Sequence, residues 1–461
     1  MRRINGRPKI TITQRTKNRK ALFRVLPQPS YGFYTRLGKA VTAWVIYISN
    51  FPNPPKTIYL VVQAGFMATQ FLAGFPQFNS YSTPLLILGL QGAILCVLLY
   101  RRYLKKRALP DILLAGILFI LCYHRTTYTI GFMGWYDTYR NTKINYFLVG
   151  MDLLMAPLIY FYVKSVVTPK FKLLKKHFWH FLPWLLFFLA KAVIYGYDAQ
   201  QPGFEDNQNG YLVENFQWPY LNPLVTFFGS AQMLLYLAFS FQLYLTYKEE
   251  IQQFFSNTAN KELLWIRNFL LIYTAIFIYG LVQVFVDEYI VEMSWTQKWW
   301  IQFFSAIALL YFGVKGYFTD FNFLKDFEKP YNRTFMDSAS TTKVLDRDLL
   351  EQKENIDTLF KEEKIFLDPE LNLKQLAEKT NLNRGEVSEV INQGFGMNFN
   401  DFVNQFRITE FQQRLQSGAH EQFSLVGIAF ECGFNSKATF NRVFKKAVKL
   451  TPTEYLNSIK N

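Results

Sequence analysis

Residues 83–100 read TPLLILGLQGAILCVLLY, a run of 18 residues without a charged side chain. An α-helix rises about 1.5 Å per residue, so this run would be about 27 Å long, close to the roughly 30 Å hydrocarbon core of a bilayer. The composition agrees, because only 18% of the 461 residues are charged, whereas a soluble protein carries about 25%. We therefore predict that this run is a membrane-spanning helix.

Further apolar windows follow along the chain. They lie at about 112–133, 144–163, 178–197, 220–247, 268–286 and 299–314. Seven buried helices of this length would be unusual in one soluble protein, so spanning helices are the better interpretation. The sequence therefore predicts an all-α fold, with a seven-helix transmembrane bundle at residues 83–316 followed by a cytoplasmic all-α domain. The mean hydropathy of +0.03 fits such a composite.

The charges between these windows predict their orientation. If the first helix runs from outside to inside, the inner loops hold thirteen Lys and Arg residues and the outer loops hold three, Arg140, Lys143 and Lys298. Cytoplasmic loops are enriched in Lys and Arg. The domain that follows the bundle is therefore expected in the cytoplasm.

Residues 1–82 form a basic leader whose role the sequence leaves open. Residues 1–66 contain twelve Lys and Arg residues and no Asp or Glu. The leader could be an arm for nucleic acid or anionic lipid, a mitochondrial-type presequence, or an over-extended reading frame whose true start is Met67, which we favour. The stretch 57–75 could be an eighth span if the leader is translated.

Four ionisable residues fall inside the predicted spans: His124, Arg125, Asp152 and Lys191. Charges at that depth are costly and normally face the interior of a bundle or a water-filled cavity. They predict either a pocket, open to the outside, for a small anionic or polar ligand, or internal ion pairs such as Arg125 with Asp152 that fix helix packing.

The chain offers few residues for catalysis or metal binding. It has three cysteines, Cys96, Cys122 and Cys432, four histidines and no C-x-x-C pair. The membrane half shows no carboxylate pair and no Ser-His arrangement, so the sequence predicts neither an enzyme nor a metal or cofactor site.

Residues 317–364 are predicted to be a linker that contains an amphipathic helix. Its apolar residues recur at helical spacing among charged ones: Leu345, Leu349, Ile356, Leu359 and Phe360. This helix could pack on the domain that follows it or pair with a second copy, and the short pattern favours the first.

Residues 365–461 contain an internal repeat at an offset of 52 residues. Leu376-Ala377 in the first copy corresponds to Ile428-Ala429 in the second. In each pair the small alanine side chain allows a second helix to pack closely against the helix that carries it. A tight turn then ends at Asn383 or Asn435, both suited to cap the following helix. Two such hairpins in register predict two helix-turn-helix units.

The second unit exposes a basic row. Its second helix is expected to project Lys437, Asn441, Arg442 and Lys445, and Lys and Arg bind phosphates and guanine while Asn reads adenine. The corresponding face of the first unit is mixed, and residues 361–461 hold thirteen Lys and Arg against twelve Asp and Glu. A net charge of only +1 indicates modest DNA affinity for a single copy.

The C-terminal domain, residues 365–461, resembles the DNA-binding domain of the AraC-type transcription regulators. Residues 433–446, GFNSKATFNRVFKK, with Thr451-Pro452-Thr453-Glu454-Tyr455, resemble that family's second-unit signature, and Arg407 fits its linker helix. The resemblance covers about residues 365–457 and implies two recognition helices in successive segments of the major groove. It places these residues against bases: Arg384, Gly385, Ser388 and Glu389 in the first unit, and Lys437, Ala438, Thr439, Asn441 and Arg442 in the second.

Two departures from the family pattern stand out. Glu386 and Glu389 bring negative charge toward DNA, and Val448-Lys449-Leu450 lacks the glycine usual before the Thr-Pro pair. The architecture as a whole is similar to a membrane-embedded bacterial subgroup of these regulators, which implies location in the bacterial inner (cytoplasmic) membrane.

The function expected from the sequence is a membrane-tethered, sequence-specific transcription regulator that senses an unknown signal through its bundle. Its expected partners are double-stranded DNA, membrane lipid, an unknown small ligand and a second copy of the chain on two half-sites. The alternative is a transporter or membrane receptor whose tail is a regulatory or protein-interaction module.

Overall fold

The computed structural model describes residues 75–139, 143, 146, 150–168, 171–258, 261–319 and 342–460. The leader through residue 74, including Met67 and nearly all of the stretch 57–75, lies outside the described residues, as do residues 320–341 of the linker. Within the described residues the chain is helical, with one isolated antiparallel bridge between Phe255 and Asn372 and no strand. The expected all-α class is confirmed.

Seven long helices, and a short helix Trp135–Thr138, form the first half of the described chain. The long helices are α1 Ser82–Lys106, α2 Leu109–Phe132, α3 Asp152–Val167, α4 Leu182–Asp198, α5 Asn222–Phe254, α6 Leu264–Tyr289 and α7 Trp295–Phe318. A 3₁₀ turn, Lys175–Phe181, leads into α4, and a π-helical segment, Val213–Leu221, leads into α5.

Six segments, rather than the seven expected, are long and apolar enough to cross a bilayer among the described residues. The exception is α3, which has 16 residues and would be about 24 Å long. Ten of its residues are buried, including Phe161, Tyr162 and Val163. The described helix is therefore largely buried among its neighbours, while most of residues 144–149 of the predicted window lie outside the described range.

The helices run in alternating directions. In α1 and α2, Cys96 Sγ donates to Ala115 O at 3.2 Å and Cys122 Sγ approaches Gly89 O at 3.6 Å, so these two helices are antiparallel. In α1 and α7, the Tyr81 and Trp299 rings are 5.7 Å apart and Arg102 donates to Gly316 O at 3.0 Å, so they are parallel. The basic ends of α1 and α7 thus lie on one side.

Arg102 and Asp111 form an ion pair at this basic end. Arg102 Nε donates to one carboxylate oxygen at 2.8 Å and Nη2 to the other at 2.5 Å. The same guanidinium also donates to the backbone oxygens of Gly316 and Tyr317 at the end of α7. Asp111 is only 2% exposed, so one bidentate pair holds α1, α2 and α7 together.

The opposite end of the bundle is organised around Asp198, which is fully buried. Its carboxylate accepts hydrogen bonds from the Tyr146 hydroxyl at 2.7 Å and from the backbone amides of Leu212 and Val213 at 2.8 and 3.2 Å. The loop from α4 therefore closes onto the first residues of the segment that becomes α5.

Residues 75–79 and 130–139 belong to a separate unit. Within it, Gln77 N donates to Met133 O at 2.8 Å, and the rings of Phe75 and Trp135 meet edge to face at 5.0 Å.

The remaining helices build the C-terminal half. They are α8 Thr342–Glu362, α9 Leu373–Thr380, α10 Arg384–Glu389, α11 Phe399–Gln416, α12 Leu425–Glu431, α13 Lys437–Val448 and α14 Pro452–Lys460. A π-helical turn, Val390–Gly394, extends α10. The amphipathic helix α8 packs on this domain, because Ile356 and Phe360 are fully buried and the Phe360 ring lies 4.8 Å from Phe402.

Local sequence sets where these helices begin. Asn372, Asn383, Asn398, Ser424 and Ser436 each accept a hydrogen bond from a backbone amide in the first turn of the following helix. Such a cap contributes about 1 kcal/mol. Asn383 is therefore a cap as expected, but the expectation for Asn435 was wrong by one residue, since Ser436 caps α13.

Arg407 joins the two helix-turn-helix units from the middle of α11. Its Nε donates to Phe366 O and its Nη2 to Asp368 O, both at 2.7 Å. Burial lowers the pKa of Arg407 to about 10, while Asp368 and Glu370 act in the opposite direction, so the side chain stays charged at neutral pH. A buried charge that satisfies several carbonyls fixes the segment before α9 against the second unit.

Candidate DNA-binding site

The first helix-turn-helix unit consists of α9 and α10. Leu376 and Ala377 on α9 pack against Val387, Val390 and Ile391, as the repeat predicted, and all five are buried. Thr380 closes α9 through its hydroxyl, which donates to Leu376 O at 2.9 Å. The turn then places α10 with one face in the core and the other toward the surface.

Glu386 has a local role that the sequence argument missed. Asn383 Oδ1 accepts from Glu386 N at 3.0 Å, and Glu386 Oε2 accepts from Asn383 N at 2.8 Å. This reciprocal pair is a capping box. An acid three residues after Asn was the available signal, and its carboxylate is occupied by the start of the helix.

The four expected base-contacting residues of the first unit lie together on α10. Arg384, Gly385, Ser388 and Glu389 are all half-buried. The Ser388 hydroxyl accepts from the Asn392 amide at 3.2 Å, and the Glu389 carboxylate accepts from the Gln393 amide at 3.2 Å. Both bonds are local to this helix and lie within reach of solvent.

The second unit places α13 with its apolar side on a separate core. Phe440 and Phe444 are fully buried, and their rings lie 4.7 and 5.4 Å from Phe411 on α11. The opposite side of α13 is exposed: Lys437, Ala438, Asn441, Arg442 and Lys445. These residues share one face because the helix repeats every 3.6 residues.

Thr439 does not share that face. It is only 7% exposed, and its backbone amide donates to the Ser436 cap at 3.4 Å. The expectation that Thr439 faces bases therefore disagrees with its burial beside Phe440. The cause is that residue 439 lies about 100° around the helix from residue 438, on the core side.

Two exposed cations of α13 already have acidic neighbours. Lys446 Nζ lies 2.9 Å from both carboxylate oxygens of Asp401 on α11. Arg442 Nη2 lies 3.8 Å from Glu262 Oε1, on the loop between α5 and α6. Arg442 remains largely exposed, with 59% of its side chain accessible.

Lys449 replaces the glycine that the family pattern led us to expect after α13. It has φ 65°, and its amide donates to Lys445 O at 3.0 Å, which ends the helix in the left-handed conformation. The turn therefore keeps the form of a glycine cap although a side chain is present.

Of the four ionisable residues predicted to line a pocket between the spans, His124 and Asp152 lie together. His124 Nδ1 lies 3.5 Å from Asp152 Oδ1, which joins α2 to α3. Arg125 is buried and donates instead to backbone oxygens, to Leu121 O at 2.6 Å and Gln302 O at 3.3 Å. Lys191 is buried on α4. The pair that forms is His124 with Asp152, rather than Arg125 with Asp152.

An open polar cleft of about 390 Å³ lies elsewhere, in the loop that closes on Asp198. Its lining includes Gln201, Asn207, Gln208, Glu214 and Asn215. The sequence argument missed it because a loop rich in Asn, Gln and Gly carries no periodic signal. Among the described residues, no three His, Cys, Asp or Glu side chains gather where they could hold a metal ion.

Comparison with known proteins gives matches near the C-terminal end of the chain. Residues 376–458 match the family described as helix-turn-helix domain. The chain is 31% identical over 87 residues to an uncharacterised HTH-type transcriptional regulator of Haemophilus influenzae, which covers 19% of this chain and 28% of that protein. It is 27% identical over 85 residues to the probable transcription factor PqrA of Proteus vulgaris, covering 18% of this chain and 67% of that one.

These matches are confined to the tail, and the chain spans about a quarter of the Haemophilus protein's length. No solved structure gives a significant match to the chain. The family match covers the segment that contains the two capped helical hairpins and the buried arginine that joins them. Residues 376–458 of this chain are therefore a helix-turn-helix domain of the AraC type.

Proposed function

We propose that this chain is a membrane-tethered, sequence-specific DNA-binding transcription regulator. The observation that carries the proposal is the exposed row Lys437, Asn441, Arg442 and Lys445 on the second helix of a helix-turn-helix unit. A helix with such a row fits the major groove, where Arg binds guanine and Asn binds adenine. Both relatives are named as regulators of transcription.

Arg384 and Ser388 of α10 and Ala438 of α13 complete the proposed base-contacting surface, with Gly385 allowing close approach of the backbone. Glu389 can accept from the amino group of cytosine. Glu386 is left out because it caps α10, and Thr439 is left out because it is buried.

Two observations support the proposed membrane attachment: the six long apolar segments and the apolar side chains that these segments expose. Leu90, Val193, Phe227 and Phe285, on α1, α4, α5 and α6, are each more than half exposed. Apolar side chains exposed at this density are unfavourable in water and favourable against lipid. The basic ends of α1 and α7 lie on the same side of the bundle. Because cytoplasmic ends are enriched in Lys and Arg, this supports a cytoplasmic location for the C-terminal domain.

The experiment is a selection of DNA by the full chain in lipid nanodiscs. The protein would be incubated with a random duplex pool, and bound DNA would be sequenced and then titrated at several salt concentrations. We expect one enriched motif, whose paired half-sites would report two copies of the chain, and an affinity that falls as salt rises.

The variant Arg442→Ala tests the proposed contact surface. It should lower affinity for the selected motif by about 10- to 100-fold, the effect of losing a bidentate base contact. Lys374→Ala removes an equally exposed cation from α9, where it lies 3.8 Å from Glu378, and should change affinity much less. A pool without enrichment, or equal effects of both substitutions, would contradict the proposal.

A further inference from the structure

The described residues of the loop between α5 and α6, 255–258 and 261–263, are largely buried although the loop joins two candidate spans. Ser256, Asn257, Thr258 and Glu262 are between 1% and 8% exposed. Connecting loops normally lie in solvent, where water satisfies their backbone groups. The partners of this loop must therefore be found in the protein, and they lie on the DNA-binding domain. We refer to residues 255–258 and 261–263 as the docking loop.

Backbone pairing attaches the docking loop to the segment that precedes α9. Phe255 forms an antiparallel bridge with Asn372, and Ser256 N donates to Leu371 O at 3.1 Å. Lys261 Nζ lies 2.9 Å from Glu370 Oε2 one residue further. The loop is therefore paired, backbone to backbone, with the segment that leads into the first helix-turn-helix unit.

Side chains of α11 hold the same loop from the other side. Asn400 Nδ2 donates to Ser256 O at 2.7 Å and to Phe255 O at 3.3 Å. Arg407 Nη2 donates to the Ser256 hydroxyl at 3.1 Å. Asn400 and Arg407 are 8% and 0% exposed. The residue that joins the two helix-turn-helix units thus also binds the membrane half.

The docking loop also reaches the second recognition helix. Glu262 Oε1 lies 3.8 Å from Arg442 Nη2 and accepts from the Thr258 hydroxyl at 3.0 Å, which orients the carboxylate. A fixed carboxylate beside a helix that meets phosphates repels DNA and competes for the arginine.

We propose that the docking loop is an inhibitory dock that holds the DNA-binding domain against α5 and α6 and lowers its affinity for DNA. This inference rests on the proposed function, since it describes the regulation of the same surface. Displacement of α5 relative to α6 would separate Phe255 from Glu262 and release Arg442. DNA and the dock thus oppose each other, and each weakens the binding of the other.

The first test removes the carboxylate. Glu262→Gln in the full chain in nanodiscs should tighten binding to the selected DNA about two- to fivefold, the effect of one partly exposed ion pair. Glu249→Gln is the matched control, because it removes the same charge from an exposed site on α5. Equal effects of the two substitutions would overturn the dock.

The second test locks the dock with a disulfide. Ser256 N donates to Leu371 O, so Phe255 and Asn372 are a non-hydrogen-bonded antiparallel pair, whose Cα atoms lie about 4.5 Å apart. Phe255→Cys with Asn372→Cys, in a chain whose three native cysteines are replaced, should bind DNA at least tenfold more weakly when oxidised than when reduced.

The comparison of the two redox states uses one protein, so any loss of stability from the substitutions affects both. Equal affinity in the oxidised and reduced states would overturn the dock and leave the proposed function standing. Absence of DNA binding by every variant and by the unaltered chain would overturn the proposed function itself.

Discussion

The backbone of Gly433 lies directly against the guanidinium of Arg407. A Cβ at residue 433 would lie 2.8 Å from Arg407 Nε and 2.5 Å from Phe366 O, and the residue has φ 92°. The turn between α12 and α13 therefore tolerates no side chain, since the oxygen it would meet belongs to the backbone that Arg407 binds.

Gly433→Ala should destabilise the DNA-binding domain by about 3 kcal/mol or more, because it adds a clash to the strain of the left-handed backbone. Gly418→Ala is the matched control: it has φ 86° and open space around its Cβ, so it should cost only about 1 kcal/mol. The measurement is the urea concentration at which the domain becomes susceptible to protease in the full chain. Equal midpoints for the two variants would contradict this account.

Lys449→Gly should stabilise the same domain. Lys449 ends α13 at φ 65°, a conformation that costs a residue with a side chain about 1 kcal/mol. We expect a gain of up to about 1 kcal/mol in the same protease assay. Lys449→Ala, which removes the charge but keeps the strain, should give no gain, and a stabilised alanine variant would show that charge is the cause.

Asp111→Asn should destabilise the bundle by about 3 kcal/mol, because it leaves the Arg102 guanidinium without its carboxylate in a largely buried site. Replacing both residues, Arg102→Met with Asp111→Leu, should restore most of the stability, since no charge then remains unpaired. Thermal unfolding in detergent micelles would measure both. A double variant less stable than Asp111→Asn would contradict the explanation.

Glu410 makes the domain sensitive to acid. Burial alone would raise its pKa, but hydrogen bonds from Lys364 at 2.8 Å and Arg414 at 3.0 Å outweigh burial and lower the pKa below its usual value near 4.5. A lowered pKa stabilises the fold above about pH 4.5 and loses that stabilisation as pH falls through the folded-state value.

Glu410→Gln should therefore be less stable than the unaltered chain at pH 7, by about 1–2 kcal/mol, and the difference should shrink below pH 4.5. Urea midpoints at pH 7 and pH 4 would show this. A difference that stayed constant with pH would exclude Glu410 as the titrating group.

The sequence predicted the helices of this protein better than their partners. Apolar windows marked six of the long segments, and the repeat marked both helix-turn-helix units, because burial and helical period leave a direct imprint on residue order. For the window 144–163 the structure describes α3, Asp152–Val167, while most of residues 144–149 lie outside the described range. Asn435 and Ser436 are both good caps, so their order alone did not decide between them.

Long-range polar contacts were not predictable in this way. Arg102 was counted as a loop charge, yet it pairs with Asp111 across a turn and reaches α7. Ser256 and Glu262 look like ordinary polar loop residues, and their roles depend on residues more than a hundred positions away. His124 pairs with Asp152, and Arg125 donates to backbone oxygens; the positions of these residues along the sequence did not predict those partners.

One apolar helical segment, Val213–Phe254, covers 42 residues from the Val213 amide that binds Asp198 to the residue before the docking loop. At about 1.5 Å per residue this rod is about 60 Å long. If this rod tilts by about 5° about one end, its other end moves by about 5 Å. That movement exceeds the length of any hydrogen bond at Ser256. A tilt that leaves the cleft almost unchanged would then be enough to break the contacts at the far end of the rod.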